Sequence, residues 1–444
     1  MTTAAPYGSW ASEITPDLFA KGNCKAICEL QANDDGVFWV EQSAVTGARE
    51  LYFQSSKPSS PRIRWAPEQS VQNCVHEYGG GSFLPLNDGS IVYSTVEGLF
   101  LQAAHEAPAV QLADASEKKL RFADFSASDT HILCVNEVHM QAGADPENRL
   151  ISINKATKEQ KVVASGADFY ASPRVSPDGK RVVWMQWNHV NMPWDETSIH
   201  MAVLHDDGTV TNEVTVKEGS GKQINYYCPS WNEEKLLMVN DSSNFWNLYE
   251  VDVGPEFKEK NVFPVDREIG YPHWQFADRP YSSNGTCIVM NVNGRLMLRR
   301  DCFVREVPTP GYTVFSHLSI TQSDVIYAIA SGPKKASCVL RIDVSNEGQE
   351  PVISVVRTAR DDKDIDALDI SEPEHLEFQS DGNRNYTAPA GTLPPVVVMG
   401  HGGPTAIALD CFDLKKQFFT SRGFAVLDVN YRGSTGFGTS FRNM

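Results

Sequence analysis

Nowhere in the 444 residues does an apolar run approach the ~18 residues of a membrane span. The opening Met1-Thr2-Thr3-Ala4-Ala5-Pro6-Tyr7 has no basic and then apolar leader pattern either. Neither a membrane partner nor secretion is therefore expected. A basic stripe is missing too: 39 Lys and Arg stand against 56 Asp and Glu, for a net charge of −17 and a pI of about 5.1. Nucleic acid is accordingly not expected as a partner, and the acidity serves solubility. Cysteines number nine, an odd count, and Cys134, Cys287 and Cys338 sit inside apolar runs. They read as reduced core thiols of a cytoplasmic protein. Cys24 and Cys28 are four apart with no matching pair downstream, so neither a metal nor another cofactor is expected. Whether the chain forms a homo-oligomer is left open.

What is present is a repeat. The length exceeds a typical single domain, and 41% apolar residues suffice for a folded core. From Lys25 to about Leu368, short apolar runs follow turn signals at roughly 40–55-residue intervals. They are Val37–Val40, Ile91–Tyr93, His131–Val135, Arg181–Met185, Leu236–Val239, Thr286–Met290 and Val325–Ala328. Second strands follow, such as Leu150–Ile153, Asn247–Val251 and Val339–Ile342. Seven units of this kind predict a mainly-β chain built as a seven-bladed β-propeller. Asp35-Gly36, Asp88-Gly89 and Asp178-Gly179 suit two-residue hairpin turns, where glycine supplies positive φ. Glu50–Ser55 matches an engineered protease-cleavage scar but fits the first blade's alternation, and is taken as native strand.

The texture changes at the end. Val396–Met399 suits a strand buried on both faces of a parallel sheet. Cys411, Phe412, Leu414, Phe418 and Phe419 recur at helical spacing, and Phe424–Val429 is a second strand entered through Gly423. Strand, helix and strand make one crossover unit of an α/β domain. Its loop, His401-Gly402-Gly403-Pro404, lies at the carboxyl end of the first strand, where open α/β sheets keep ligands. Paired glycines bring a backbone N–H close to a developing oxyanion; a plain tight turn needs glycine as well.

Residues 394–442 resemble the opening of the catalytic domain in the prolyl oligopeptidase family of serine peptidases. The acylaminoacyl-peptidase and dipeptidyl-peptidase-like branch is the most similar. The resemblance rests on His401-Gly402-Gly403-Pro404 and on Asn430-Tyr431-Arg432-Gly433-Ser434-Thr435-Gly436-Phe437-Gly438. It extends back to Tyr7–Trp10, Val75–Gly81, Ser172–Gly179 and Trp187–Asp195. It implies a propeller capping an α/β-hydrolase, with an amino-terminal arm (1–22), a propeller (23–370) and the start of the hydrolase domain (371–444). The arm, where Tyr7–Thr15 could start a short helix, would pack on the catalytic part. His401, Gly402 and Gly403 would form the oxyanion-hole loop, with His401 orienting it and not acting as the base. Tyr431 and Arg432 would brace the strand end.

The nucleophile of this fold sits on a Gly-x-Ser-x-Gly elbow, followed by an acid and a histidine. No such elbow occurs in the 444 residues. The resemblance implies that the whole triad lies downstream of Met444, so no catalytic residue is assigned within the chain. The joint holds a charge run (Asp361–Asp366), an edge strand (Glu374–Phe378), a turn (Asp381–Asn385) and a Pro-rich lead-in (Thr387–Pro395). A further strand implied there by the resemblance is not legible. The expectation is the amino-terminal portion of a serine-type peptidase of short peptides, truncated before its nucleophile and inactive as given. The alternative is a non-catalytic propeller acting as a binding or pairing module with a vestigial hydrolase strip. Two propeller loops are candidate substrate contacts. Glu77, beside His76 and three glycines, could hold a substrate amino terminus, or His76 and Glu77 could be a structural pair. His189, Trp194 and Asp195 could line a binding surface or form a network within one blade.

Overall fold

The computed structural model describes residues 6–20, 25–57, 59–66, 68–117, 119–140, 143–360, 368, 370–376, 393–403 and 405–444. Cys24, Pro404, the charge run 361–366, the turn 381–385, residues 377 and 378 of the expected edge strand and residues 387–392 of the Pro-rich lead-in lie outside the described residues; the rest of that edge strand, residues 374–376, is described and is not a strand.

Seven four-stranded antiparallel sheets, each made of four consecutive strands, form the blades of a propeller. They span residues 25–65, 83–114, 120–165, 169–218, 226–261, 281–307 and 314–358. Each of the seven apolar runs read from the sequence is a blade's second strand. Those runs are apolar on both faces because a blade is packed between two neighbours. In His131–Val138, Ile132 and Cys134 point into the cluster shared with blade two, whereas Leu133 and Val135 point into the one shared with blade four. Ile288 and Met290 against Cys287 and Val289 repeat the pattern in blade six. Alternation survives, but both sides of it are dry.

The hairpins differ in detail from the expected two-residue Asp-Gly turns. In blade one the turn is Asp34-Asp35, and Gly36 already pairs with Asn33. In blade four the Gly179 N–H donates to the Ser176 carbonyl at 2.8 Å, and Gly179 (φ +72°) follows the turn proper. In blade four glycine thus serves as the left-handed residue after the turn, in a longer loop.

Because every blade is made of consecutive strands, the ring closes through contacts between blades one and seven. Ile27, Trp39 and Tyr52 of blade one pack against Tyr327, Ile329 and Val339 of blade seven. The fully buried Glu41 receives Nε of Arg357 at 2.7 Å. Around the axis, the innermost strands of adjacent blades touch and are linked by polar bonds. The Glu29 carboxylate accepts from Ser82 N–H and Oγ, and Asp124 N–H donates to the Gly81 carbonyl. Asp124 accepts from Ser172 N–H, Tyr281 Oη donates to the Cys228 carbonyl, and Ser319 Oγ donates to the Ala32 carbonyl. Asp124, Ser172, Cys228 and His317 all take φ near +54° at bulges of these strands (values +52° to +55°).

The end of the chain forms a two-stranded parallel sheet, Val396–Gly400 with Ala425–Val429, in register Val396↔Ala425 to Gly400↔Val429. Leu414–Thr420 is the helix between them, capped by the Asp413 carboxylate on Lys415 N–H at 2.8 Å. The strands do not meet the expectation of burial on both faces: Val396 and Val398 are 57% and 65% exposed, because two strands and one helix leave a sheet face uncovered. A last helical turn, Thr439–Arg442, leads to Met444, whose N–H donates to the Phe441 carbonyl at 3.3 Å and whose side chain is exposed.

The arm packs on this unit, as the resemblance implied, but its helix is Pro16–Ala20; residues 7–15 are not helical. Gly8 N–H donates to the Arg422 carbonyl at 2.7 Å, and Arg422 Nη2 to the Ile14 carbonyl at 2.9 Å. Gly423 is required here: a Cβ would lie 2.7 Å from Tyr7 Cδ1 and 2.8 Å from Trp10 Cζ2.

Candidate functional site: a glycine loop held against the propeller

The strand Val396–Gly400 delivers His401, Gly402 and Gly403 to its carboxyl end. His401 is clamped. Its ring stacks on Tyr431 at 4.3 Å between centroids, and its Nε2 lies 2.7 Å from Ser434 Oγ. Because that hydroxyl donates to the Tyr431 carbonyl at 2.6 Å, it accepts the Nε2 proton of His401. The ring is thereby fixed as an orienting group, and Ser434, fully buried, is a strut and not an accessible nucleophile. Tyr431 Oη lies 2.9 Å from the His401 carbonyl and 3.1 Å from that of Gly403. The residue expected to brace the strand end therefore also fastens the loop. Its neighbour Arg432 is exposed.

Carbonyls on the loop are held, and the space beside Gly402 is open. Gly403 has φ +65°, and a Cβ at Gly402 would meet nothing within 4 Å. Left-handed backbone next to open space suits an N–H turned toward a ligand oxygen.

The far wall is propeller. Trp274 donates its indole N–H to the Thr405 carbonyl at 3.2 Å, and its Cζ2 lies 4.0 Å from where a Gly403 Cβ would be. Trp274 contacts Trp194 at 4.3 Å and Tyr78 at 4.9 Å between centroids. An aromatic shelf from three parts of the propeller thus lies under the loop. Trp194, a candidate from the sequence, is part of it. Asp195 is not: its carboxylate accepts from Met192 N–H at 2.8 Å, closing a local turn. His189 is exposed, and its N–H donates to Asp168 at 2.9 Å within the same blade. Glu77, 76% exposed on its side chain, pairs with Arg121 at 2.8 Å. The His76–Glu77 pair considered from the sequence is not formed. His76 is partly buried, its ring packed among Phe169, Trp187 and Phe276, and desolvation there pushes its pKa down to about 4. Trp274, Thr405 and Asn430, whose Oδ1 accepts from Ala408 N–H at 2.8 Å, carried no signal in the sequence beyond the Asn430-Tyr431 run.

A second contact holds the unit to the propeller. Gly438 N–H and Trp246 N–H donate to the two oxygens of Glu268 at 2.9 and 2.7 Å. Arg442 lies over the Trp246 ring and donates to Asp241 at 2.8 Å. Burial pushes the Glu268 carboxyl up to about 7 despite those two donors.

Fold and loop together define a seven-bladed propeller carrying a parallel α/β unit, with a glycine loop at their junction. No family model matches the chain. The acylamino-acid-releasing enzyme of Homo sapiens is 25% identical over 280 residues, 60% of this chain and 33% of that protein. That of Mus musculus is 36% identical over 282 residues, again 60% and 33%. The matched part of the chain thus spans about a third of the length of these curated relatives. Among solved structures, a puromycin-hydrolyzing peptidase of Mycobacterium tuberculosis superposes with a TM-score of 0.85 at 28% identity, over 99% of this chain and 71% of that one. The homologues of this chain are acylamino-acid-releasing enzymes and puromycin hydrolases, and its structural neighbours are prolyl oligopeptidase family peptidases with a propeller domain.

Proposed function

We propose that residues 1–444 are the amino-terminal portion of a serine-type peptidase acting on short peptides, of acylaminoacyl- or dipeptidyl-peptidase type. They supply the propeller and the oxyanion half of the site. The observation that carries this reading is the His401–Gly403 loop: the Ser434 and Tyr431 side chains hold it, and the space beside Gly402 is open. In such a reaction a serine attacks a substrate carbonyl, a histidine takes the serine proton, and the oxygen gains charge. The Gly403 N–H, helped by Gly402, would stabilise that oxygen; one such donor is worth about 3–4 kcal/mol of barrier. Serine, acid and base are not among the site residues of this chain, which has no Gly-x-Ser-x-Gly. In this reading they follow Met444, and the 444 residues alone are inactive.

The Tyr78–Trp274–Trp194 shelf beneath the loop favours an apolar substrate side chain. Cys28, Cys74, Cys134, Cys228, Cys287, Cys302 and Cys411 are thiols, which supports assignment to the reducing cytoplasm. No helix among the described residues is long and apolar enough to cross a membrane. The test is hydrolysis of acetyl-Ala and Ala-Ala p-nitroanilides by the native protein from its source and by the 444-residue chain. Turnover by the native protein alone supports the reading; turnover by the 444-residue chain, or by neither, overturns it.

A further inference from the structure

The inner strands of the propeller place charged groups around the axis that the peptidase reading does not use. Asp124 (blade three) and Arg174 (blade four) form an ion pair, Nη2 to Oδ1 2.8 Å, with side chains 1% and 10% exposed. Asp278, just before blade six, accepts from Tyr271 Oη at 2.6 Å and from His317 N–H at 3.0 Å. Each acid is thus already engaged. Arg279 follows Asp278 directly in the chain, and its own carbonyl accepts from Leu318 N–H at 3.1 Å.

Among the described residues no carboxylate lies within ion-pairing distance of the Arg279 guanidinium, and no protein acceptor takes its N–H groups. Its electrostatic neighbours are Arg174, Cys228, Asp124 and Tyr281, all on inner strands of blades three to six. Burial first, and then the Arg174 guanidinium, pushes its pKa down. The side chain still keeps intermediate exposure, as a group lining a wet channel does. A guanidinium cannot shed its proton near neutral pH, so a half-buried one without a counter-charge is stabilised when an anion joins it. A second observation points to the same place: His317, in the strand beside Arg279, is 6% exposed on its side chain, and neither ring nitrogen makes a hydrogen bond. Its Nδ1 stands 3.3 Å from Asp278 Oδ1, out of hydrogen-bond alignment.

We infer that Arg279, with Arg174 behind it and His317 beside it, forms a site on the channel wall for a small oxyanion, a carboxylate or a phosphate. The guanidinium fork matches two oxygens of either group. The inference does not depend on the peptidase reading, because every residue of the site belongs to the propeller. Two sources share the chemistry, a free inorganic or organic anion and the carboxyl terminus of a short peptide in the channel.

The test is the thermal midpoint of the 444-residue chain at fixed ionic strength, titrated with acetate, inorganic phosphate, Ala-Ala and Ala-Ala amide. A saturable rise is expected, about 4 °C at a hundredfold excess over Kd. Arg279→Met should abolish it and Arg279→Lys should keep part of it. Should Arg279→Met not fold, calorimetric titration of the unsubstituted chain and of Arg279→Lys replaces that comparison. A rise with acetate and phosphate assigns the site to free anions, and a rise with Ala-Ala but not its amide assigns it to peptide carboxylates. No saturable response to any of them, or an undiminished one in Arg279→Met, overturns the site.

Discussion

Asp124→Asn isolates the charge that joins blades three and four. The carboxylate is 1% exposed, accepts Ser172 N–H at 2.7 Å and faces Arg174 Nη2 at 2.8 Å. Asparagine keeps the shape, tolerates the φ of +55°, and still offers one acceptor oxygen. What it removes is the counter-charge of a buried guanidinium. Removing one partner of a buried pair costs about 3–5 kcal/mol, and the retained acceptor sets the expectation at about 3. An unfolding entropy of about 2.1 cal/mol/K per residue over residues 25–358 amounts to about 0.7 kcal/mol/K. The thermal midpoint should then fall by about 4 °C, read by calorimetry on the 444-residue chain at fixed pH and salt. Adding Arg174→Met should restore much of the loss, because no stranded charge remains. A fall of less than about 1 °C, or a double variant that loses the sum of both single losses, refutes the coupling.

His76, neutral in the fold because burial holds its pKa near 4, must take up a proton on unfolding in acid. Stability should decline as pH drops from 6.5 through 4, by about 3 kcal/mol over the window; in His76→Asn that component should be missing from midpoints measured at pH 7.5 and 4.5. Glu268 carries the opposite sign: its carboxyl is raised from 4.5 to about 7, so the contribution is full below pH 4.5 and lost as pH rises through 7. Glu268→Gln, which mimics the protonated form, should flatten the thermal midpoint between pH 5.5 and 8. Gly403→Ala should cost about 1–2 kcal/mol for a left-handed alanine. Protease cleavage between residues 400 and 410 should report it, with unchanged cleavage as the contrary result.

The blades could be read because an element packed between two neighbours must be apolar on both sides, and Ile132 to Val135 write that requirement as four adjacent letters. The glycine loop was legible for a related reason: His401, Gly402 and Gly403 are contiguous. Residues meeting only when the ring of blades closes had no such trace. Arg279 and Arg174 are 105 positions apart in sequence, Trp274 and Thr405 131, and no local spacing ties them. Burial of Val396 and Val398 was misjudged from composition, which reports what a strand suits and not what covers it. The arm's helix, expected within Tyr7–Thr15, starts only at Pro16; the polar groups before it bond across the fold instead, as Ser12 Oγ does in donating to Ser421 Oγ at 2.7 Å.

The most direct measurement is labelling of the native polypeptide, purified from its source, with a fluorophosphonate probe, followed by mapping of the modified peptide. If residues 401–403 serve a serine that follows Met444, as proposed, the labelled peptide lies outside residues 1–444. A native protein that takes no label, or a label on a serine within residues 1–444, would contradict that proposal.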